Sequence, residues 1–254
     1  MKKQNGFTLI EIMISLLLGL IVLGSTISIY VNTVGSSSDT IKSARLNYDL
    51  ESLMTLMIND IKRSGYWGGA IIGSDGRTNP FTTAATNINI PVTTSCILYS
   101  YDANSDGRLT PTDLTDDVDA NEYYGFKLVN NTLSMRKTGT TTNSADCSDG
   151  EWEEFVDGSQ LTITALTFSF VPMDVNGNGN FSDAIDLSAT SRCLNVTTDT
   201  VTNAVACAGA VAGDNIAQKR VVNIQLSGRL TSDASITKTL RGTVEVRNSR
   251  LFTQ

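Results

Sequence analysis

The chain has 254 residues, 41% of them hydrophobic and 18% charged, with a net charge of −7 and four cysteines. That length accommodates one or two domains with a buried core. Histidine is absent, which removes the usual general base of serine and cysteine hydrolases and the commonest nitrogen ligand of zinc. A carboxylate-only or lysine-based enzyme stays open, but with no Gly-rich phosphate loop and no convincing nucleophile either, a non-enzymatic role with no required cofactor is expected.

The N-terminal stretch KKQNGFTLIEIMISLLLGLIVLGSTISIY, Lys2 to Tyr30, places two lysines ahead of an almost unbroken apolar run. From Phe7 to Tyr30 the only charged side chain is Glu11. As a helix this run measures about 36 Å, enough to cross a bilayer. Lys2 and Lys3 keep its N-terminus cytoplasmic by the positive-inside rule and send the remainder outward. A secretory signal would have a shorter core and an A-x-A site, whereas this run ends STISIYVN. A plain anchor accounts for the length but not for Glu11, since a carboxylate at that depth costs about 2.5–3.5 kcal/mol.

The stretch GFTLIE, Gly6 to Glu11, resembles the class III signal of type IV prepilins and related pseudopilins. The resemblance implies that a membrane peptidase cuts between Gly6 and Phe7 and that Phe7 becomes an N-methylated terminus. Glu11 would then be the fifth mature residue, pairing with the terminal ammonium of a neighbouring subunit. An amine and a carboxylate in lipid neutralise each other only when subunits pack, so Glu11 reads as an assembly device.

After Tyr30 the segment VNTVGSSSD is a polar break, and Gly19, Gly24 and Gly35 are places where a helix could loosen. Leu46, Leu50, Leu53, Met54, Met57, Ile58 and Ile61 then recur at three- and four-residue steps, opposite Glu51, Ser52, Thr55, Asn59, Lys62 and Arg63. That spacing predicts an amphipathic helix lying on a globular domain. Ser64-Gly65 stops it, with Lys62 and Arg63 suiting its C-terminal dipole. The whole helix, Phe7 to Ser64, would approach about 85 Å.

The stretch NDIKRSGYWGG, Asn59 to Gly69, resembles the helix end of PilW-type minor pilins, and VEVRNSRL, Val244 to Leu251, is similar to their C-terminal strand. Residues 66 to 160 carry no further resemblance. Farther along, LTITALTFSFV alternates but slips phase between Ala165 and Leu166, predicting a bulge there. VVNIQLSGRL places Val222, Ile224 and Leu226 on one face, and ITKTLRGTVEVR does so with Leu240, Val244 and Val246. TSDAS between them reads as a hairpin turn. The expected fold is α+β and type IV pilin-like: a long N-terminal α-helix packed on a mainly antiparallel β-sheet with long loop insertions. Its expected parts are a leader (1–6), a transmembrane half-helix (7–30), an amphipathic half-helix (31–64) and a β-rich domain (65–254).

Cys96, Cys147, Cys193 and Cys207 all follow the apolar run, and none forms a CxxC. In an exported region this reads as two disulfides. Four thiols allow three pairings; the local pairs Cys96–Cys147 and Cys193–Cys207 are expected.

Two loops have calcium-ligand spacing. In DANSDGRLTPTD the oxygens are those of Asp102, Asn104, Asp106 and Asp113, with Gly107 sixth. This follows D-x-[DN]-x-[DN]-G-x5-E with Asp113 replacing the closing glutamate. In DVNGNGNFSDAID the candidates are Asp174, Asn176, Asn178, Asp183 and Asp186, with Gly179 sixth and Ile185 at the closing place. No convincing amphipathic helices flank either loop, so an EF-hand domain is not expected, and Asn, Asp and Gly also build ordinary turns.

Without Lys2 and Lys3, 17 basic residues face 26 acidic ones. Such a surface repels nucleic acid, and no nucleic-acid partner is expected. The exception is the C-terminal region, where Lys219, Arg220, Arg229, Lys238, Arg241, Arg247 and Arg250 read as a solvated sheet face, or alternatively as a partner for an adjoining acidic loop. The resemblance implies a minor pilin that helps initiate a type IV pilus, anchored by one span in the inner membrane and later displayed on the cell surface. Implied partners are major and minor pilins, the prepilin peptidase/methyltransferase and the assembly platform. A type II secretion pseudopilin and a pilus-mounted calcium-dependent adhesin are the alternatives.

Overall fold

The computed structural model describes residues 6–68, 75–92, 95–109, 121–174, 176–181, 183–184, 186–203 and 207–254. One helix, α1 (Leu9–Ile61), runs for 53 residues, and the chain divides into two units at Arg45/Leu46. In the first unit the large apolar side chains from Phe7 to Val34 are exposed. This stretch of α1 is long and apolar enough to cross a membrane, and none of its most apolar window is buried. The loosening expected at Gly35 does not occur, because helical bonding continues through it. Thr33 and Thr40 on either side donate their hydroxyls back to the carbonyls of Ile29 (2.8 Å) and Ser36 (2.8 Å), so the polar residues stay within the helix.

In the second unit, Leu46, Leu50, Leu53, Met54, Met57 and Ile61 are buried. Their spacing forms one stripe, because residues three and four apart share a helix face. The stripe lies on a three-stranded sheet of β5 (Leu161–Ser169), β9 (Val221–Leu230) and β10 (Thr237–Glu245), ordered β10-β9-β5. Two glycines permit the close approach. A Cβ on Gly228 would sit 2.9 Å from Leu50 Cδ2, and one on Gly242 would sit 3.0 Å from Ile58 Cδ1 and Met54 Sδ.

The expected antiparallel pairing is present, divided among the described residues into three sheets. One is β1 (Cys96–Ser100), β2 (Tyr123–Val129), β3 (Thr132–Arg136) and β4 (Trp152–Glu154), paired in that order. Another is β6 (Arg192–Asn195), β7 (Thr200–Thr202), β8 (Asn215–Lys219) and β11 (Arg250–Thr253), ordered β11-β8-β6-β7. The sheets separate because β10 ends at Glu245 and the chain crosses before β11 pairs with β8.

Hydrophobic alternation sets the register of the central sheet. Leu161 and Ile163 are buried before the bulge in β5, and Leu166 and Phe168 after it. The register shift falls between Ile163 and Ala165, making Thr164 the extra residue. The bulge is therefore one position earlier than the sequence phase indicated, at the exposed threonine rather than beside the buried leucine. Disulfides join Cys96 to Cys147 and Cys193 to Cys207.

Candidate functional site

At the start of α1, Thr8 and Glu11 form a capping box. The backbone N–H and the hydroxyl of Thr8 donate to Glu11 Oε2 at 3.1 and 3.0 Å, while the Glu11 N–H donates to Thr8 Oγ1 at 3.4 Å. The sequence reading missed this local role, although T-x-x-E is its signature. Both Thr8 bonds use Oε2; among the described residues Oε1 accepts none. Gly6 and Phe7 precede the helix and are exposed.

The other end of α1 is where distant segments converge. Gly65 takes a left-handed conformation (φ +71°), the usual way to end a helix with glycine, and its N–H donates to Ser100 O at 2.8 Å. Asn248 donates its side-chain amide to the carbonyls of Arg63 (3.3 Å) and Ser64 (3.2 Å), and the Arg247 N–H donates to Lys62 O at 3.2 Å. The end of α1, at Lys62 to Ser64, and the segment Val244–Leu251 thus meet. Just before the helix end, Tyr99 and Tyr101 donate their hydroxyls to Asp60, the latter at 3.0 Å, and the Arg63 guanidinium lies 4.0 Å over the Tyr101 ring. Burial pushes both phenols well above their ordinary range, with the Asp60 charge adding to it.

Arg220 corrects one expectation. It is not part of a solvated basic face but is only 1% exposed, donating to Asn87 Oδ1 and to Asn248 O. Burial, then repulsion from Arg250, pushes its guanidinium down to about 9. Lys219 is also engaged, in an ion pair with Glu245 at 2.8 Å.

Asp102 and Asp174 open loops of the same construction. Asp102 Oδ2 accepts from Gly107 N (2.9 Å) and Asp174 Oδ2 from Gly179 N (2.6 Å), five residues on in each. Ser105 and Gly107 in the first loop, and Gly177 and Gly179 in the second, have positive φ. Asp102 is buried and also accepts from Gly68 N at 2.8 Å, while Trp67 Nε1 donates to Gly107 O at 3.0 Å. The first loop is therefore fastened to the chain just beyond the helix.

The metal-ligand expectations divide between the two loops. Carboxylate oxygens of Asp102, Asp106 and Glu122 lie within 4.8 Å of one another, a set that suits a hard divalent cation. Glu122 was missed because it lies outside the loop pattern. Asn104 Oδ1 instead accepts from Asp106 N at 3.0 Å, and Asp113 lies outside the described residues. In the second loop, Asn176, Asn178 and Asn180 donate side-chain amides to Asp183 at 2.9, 2.6 and 2.8 Å. The Asn176 and Asn178 bonds hold its carboxyl below the usual range. The Asp186 N–H donates to Asp183 O at 2.9 Å. The Asp183 carboxylate is thus hydrogen-bonded to amides of its own loop.

A long helix with an exposed apolar first half, entering an antiparallel three-sheet unit through its amphipathic second half, is the α+β construction of a type IV pilin-like protein. Residues 1–27 match the prokaryotic N-terminal methylation motif. Residues 39–246 match the family described as prepilin peptidase-dependent protein B, and the chain belongs to that family. No curated protein and no solved structure matches it.

Proposed function

We propose that the chain is a minor pilin of the PilW type, a non-enzymatic subunit that helps initiate a type IV pilus within a tip complex. The observation that carries this reading is the exposed apolar start of α1, with Glu11 as its one charged residue behind the Gly6–Phe7 junction. Prepilin peptidase cuts at that junction, and Phe7 becomes the methylated terminus. Glu11 caps its own helix through Oε2 and offers Oε1 to the ammonium of a neighbouring subunit. Before assembly the protein sits in the inner membrane; afterwards it is part of the surface filament. Mass spectrometry of the mature N-terminus tests the reading: a methylated Phe7 supports it, and a retained Met1 or a cut after Ser25 overturns it. Co-purifying prepilins identify the machine, and secretion pseudopilins alone would move the chain to a type II system.

A second reading adds calcium, held by Asp102, Asp106 and Glu122, and rests on the convergence of those three carboxylates. A ligand specific to the folded state at a hundredfold excess over Kd adds about 2.7 kcal/mol. Melting of the full chain in detergent should therefore rise in millimolar calcium relative to chelator, and Asp106→Ala should abolish the rise while Asp174→Ala leaves it. A melting temperature indifferent to calcium up to about 10 mM, well above the weak end of extracellular sites, removes this reading and leaves the pilin assignment standing.

A further inference from the structure

We propose that two copies of this chain join head to tail through their sheet edges, the basic edge of β10 in one copy pairing with the acidic edge of β4 in the next. This goes beyond the pilus reading, since head pairing requires neither leader cleavage nor Glu11. β10 is nine residues long and is the terminal strand of its sheet, paired among the described residues with β9 alone. Backbone bonds from Leu230 N to Ile236 O and from Val246 N to Arg220 O fix the alternation along it. In an antiparallel ladder every second residue turns its N–H and C=O away from its partner. On β10 those residues are Thr237, Thr239, Arg241, Thr243 and Glu245. Lys238, Arg241 and nearby Arg247 are exposed, and none lies within ion-pair distance of a carboxylate among the described residues.

β4 is the terminal strand of the first sheet. Lys137 N donates to Glu151 O and Phe155 N to Leu133 O, each at 2.8 Å, so the backbone groups of Trp152 and Glu154 face outward. Glu151, Glu153, Glu154 and Phe155 are all exposed, Phe155 at 48%. Lys137 meets Glu153 at 2.9 Å, which leaves Glu151 and Glu154 as the outlying charges of this edge.

The charges select the occupant. Two β4 edges would set glutamate against glutamate, and two β10 edges centred on Arg241 would set Arg241 against Arg241; the β10–β10 register that puts Arg241 opposite Glu245 calls on a carboxylate already paired with Lys219 at 2.8 Å. Like charges opposite one another are unfavourable. Edge charges of this kind ordinarily prevent strand pairing, but here each edge rejects its like and accepts the other. Because outward backbone groups must meet outward ones, an antiparallel register exists that places Arg241 opposite Glu154. The same register sets Trp152 opposite Thr243, and exposed Phe155 opposite half-buried Leu240. A contact between different surfaces propagates instead of closing, which suits a linear assembly.

The test uses the full chain in its membrane. The four native cysteines are held in disulfides and no free cysteine is present, so Arg241→Cys and Glu154→Cys each introduce one thiol. Co-expression of the two single variants followed by mild oxidation should give a disulfide-linked dimer that neither variant gives alone. A second measurement avoids new thiols: the dimer fraction of the full chain in detergent should fall about threefold or more in Arg241→Glu. Adding Glu154→Arg to that variant should restore it. Dimers as abundant with Arg241→Cys alone as with the mixture, or a charge swap that restores nothing, would overturn the proposal. A mature terminus other than Phe7 would sink the pilin reading while leaving these cross-links unchanged, so the two failures are distinguishable.

Discussion

Replacing Gly65 with alanine tests the helix terminus, where segments from distant parts of the second unit converge. Gly65 holds φ at +71°, and an L-residue there costs roughly 1–2 kcal/mol from contact between its Cβ and the following carbonyl. The added Cβ would also lie 2.9 Å from Thr82 Cγ2 and 3.0 Å from the Arg220 guanidinium. Arg220 cannot retreat cheaply, because it is buried and bonded to Asn87 and Asn248. Crowding of a packed site adds about 1 kcal/mol or more. A total near 2–3 kcal/mol should lower Tm by about 4–12 °C for a unit of this size. The assay is thermal melting of the full chain in detergent, followed by tryptophan fluorescence. Trp67 is two residues away and bonded to Gly107, so it reports on the site directly. Gly65→Asn provides the internal control, since asparagine tolerates the left-handed region but keeps the crowding; it should melt between alanine and wild type. An alanine variant that melts at or above the wild type would refute the reasoning, because neither the backbone penalty nor the crowding would then exist.

Glu11→Gln should keep the capping box, in which glutamine serves as well as glutamate, yet enter filaments poorly for want of the charge; undiminished piliation would return Glu11 to a purely local role. Asp149→Ala should destabilise by about 3–5 kcal/mol, because it strands the buried Arg136 guanidinium without a counter-charge; chemical denaturation measures this. Burial works to raise the Asp149 carboxyl, but bonds from Thr140 and Thr141 and the Arg136 charge win and hold it below its ordinary value. Its contribution is therefore complete above the unfolded value of about 3.9 and is lost as pH falls through the lower folded value. Acid titration of wild type and variant should converge there, and parallel curves would count against the pair. Removing Cys193 and Cys207 together opens a loop of sequence separation 14 and should cost about 3 kcal/mol; non-reducing peptide mapping checks the pairing itself.

What the sequence determined by itself is whatever depends on neighbours along the chain. The apolar run with its single carboxylate, the stripe from Leu46 to Ile61 and the stop at Gly65 follow from local spacing, because a helix closes its hydrogen bonds within four residues. The Asn130-Asn131 turn between β2 and β3, where both residues have positive φ, was equally legible as a two-residue hairpin signal. Tertiary structure alone decided the rest. Nothing local to Arg220 distinguishes it from the exposed Arg241, and its burial comes from Asn87, Asn248 and the end of α1. Glu122 joins Asp102 and Asp106 only because the backbone of Tyr101, beside Asp102, bonds to the carbonyl of Glu122 (3.2 Å). The division into three sheets likewise rests on which strand β11 meets. Strand pairing and side-chain burial are long-range choices, decided by partners that sequence spacing does not name.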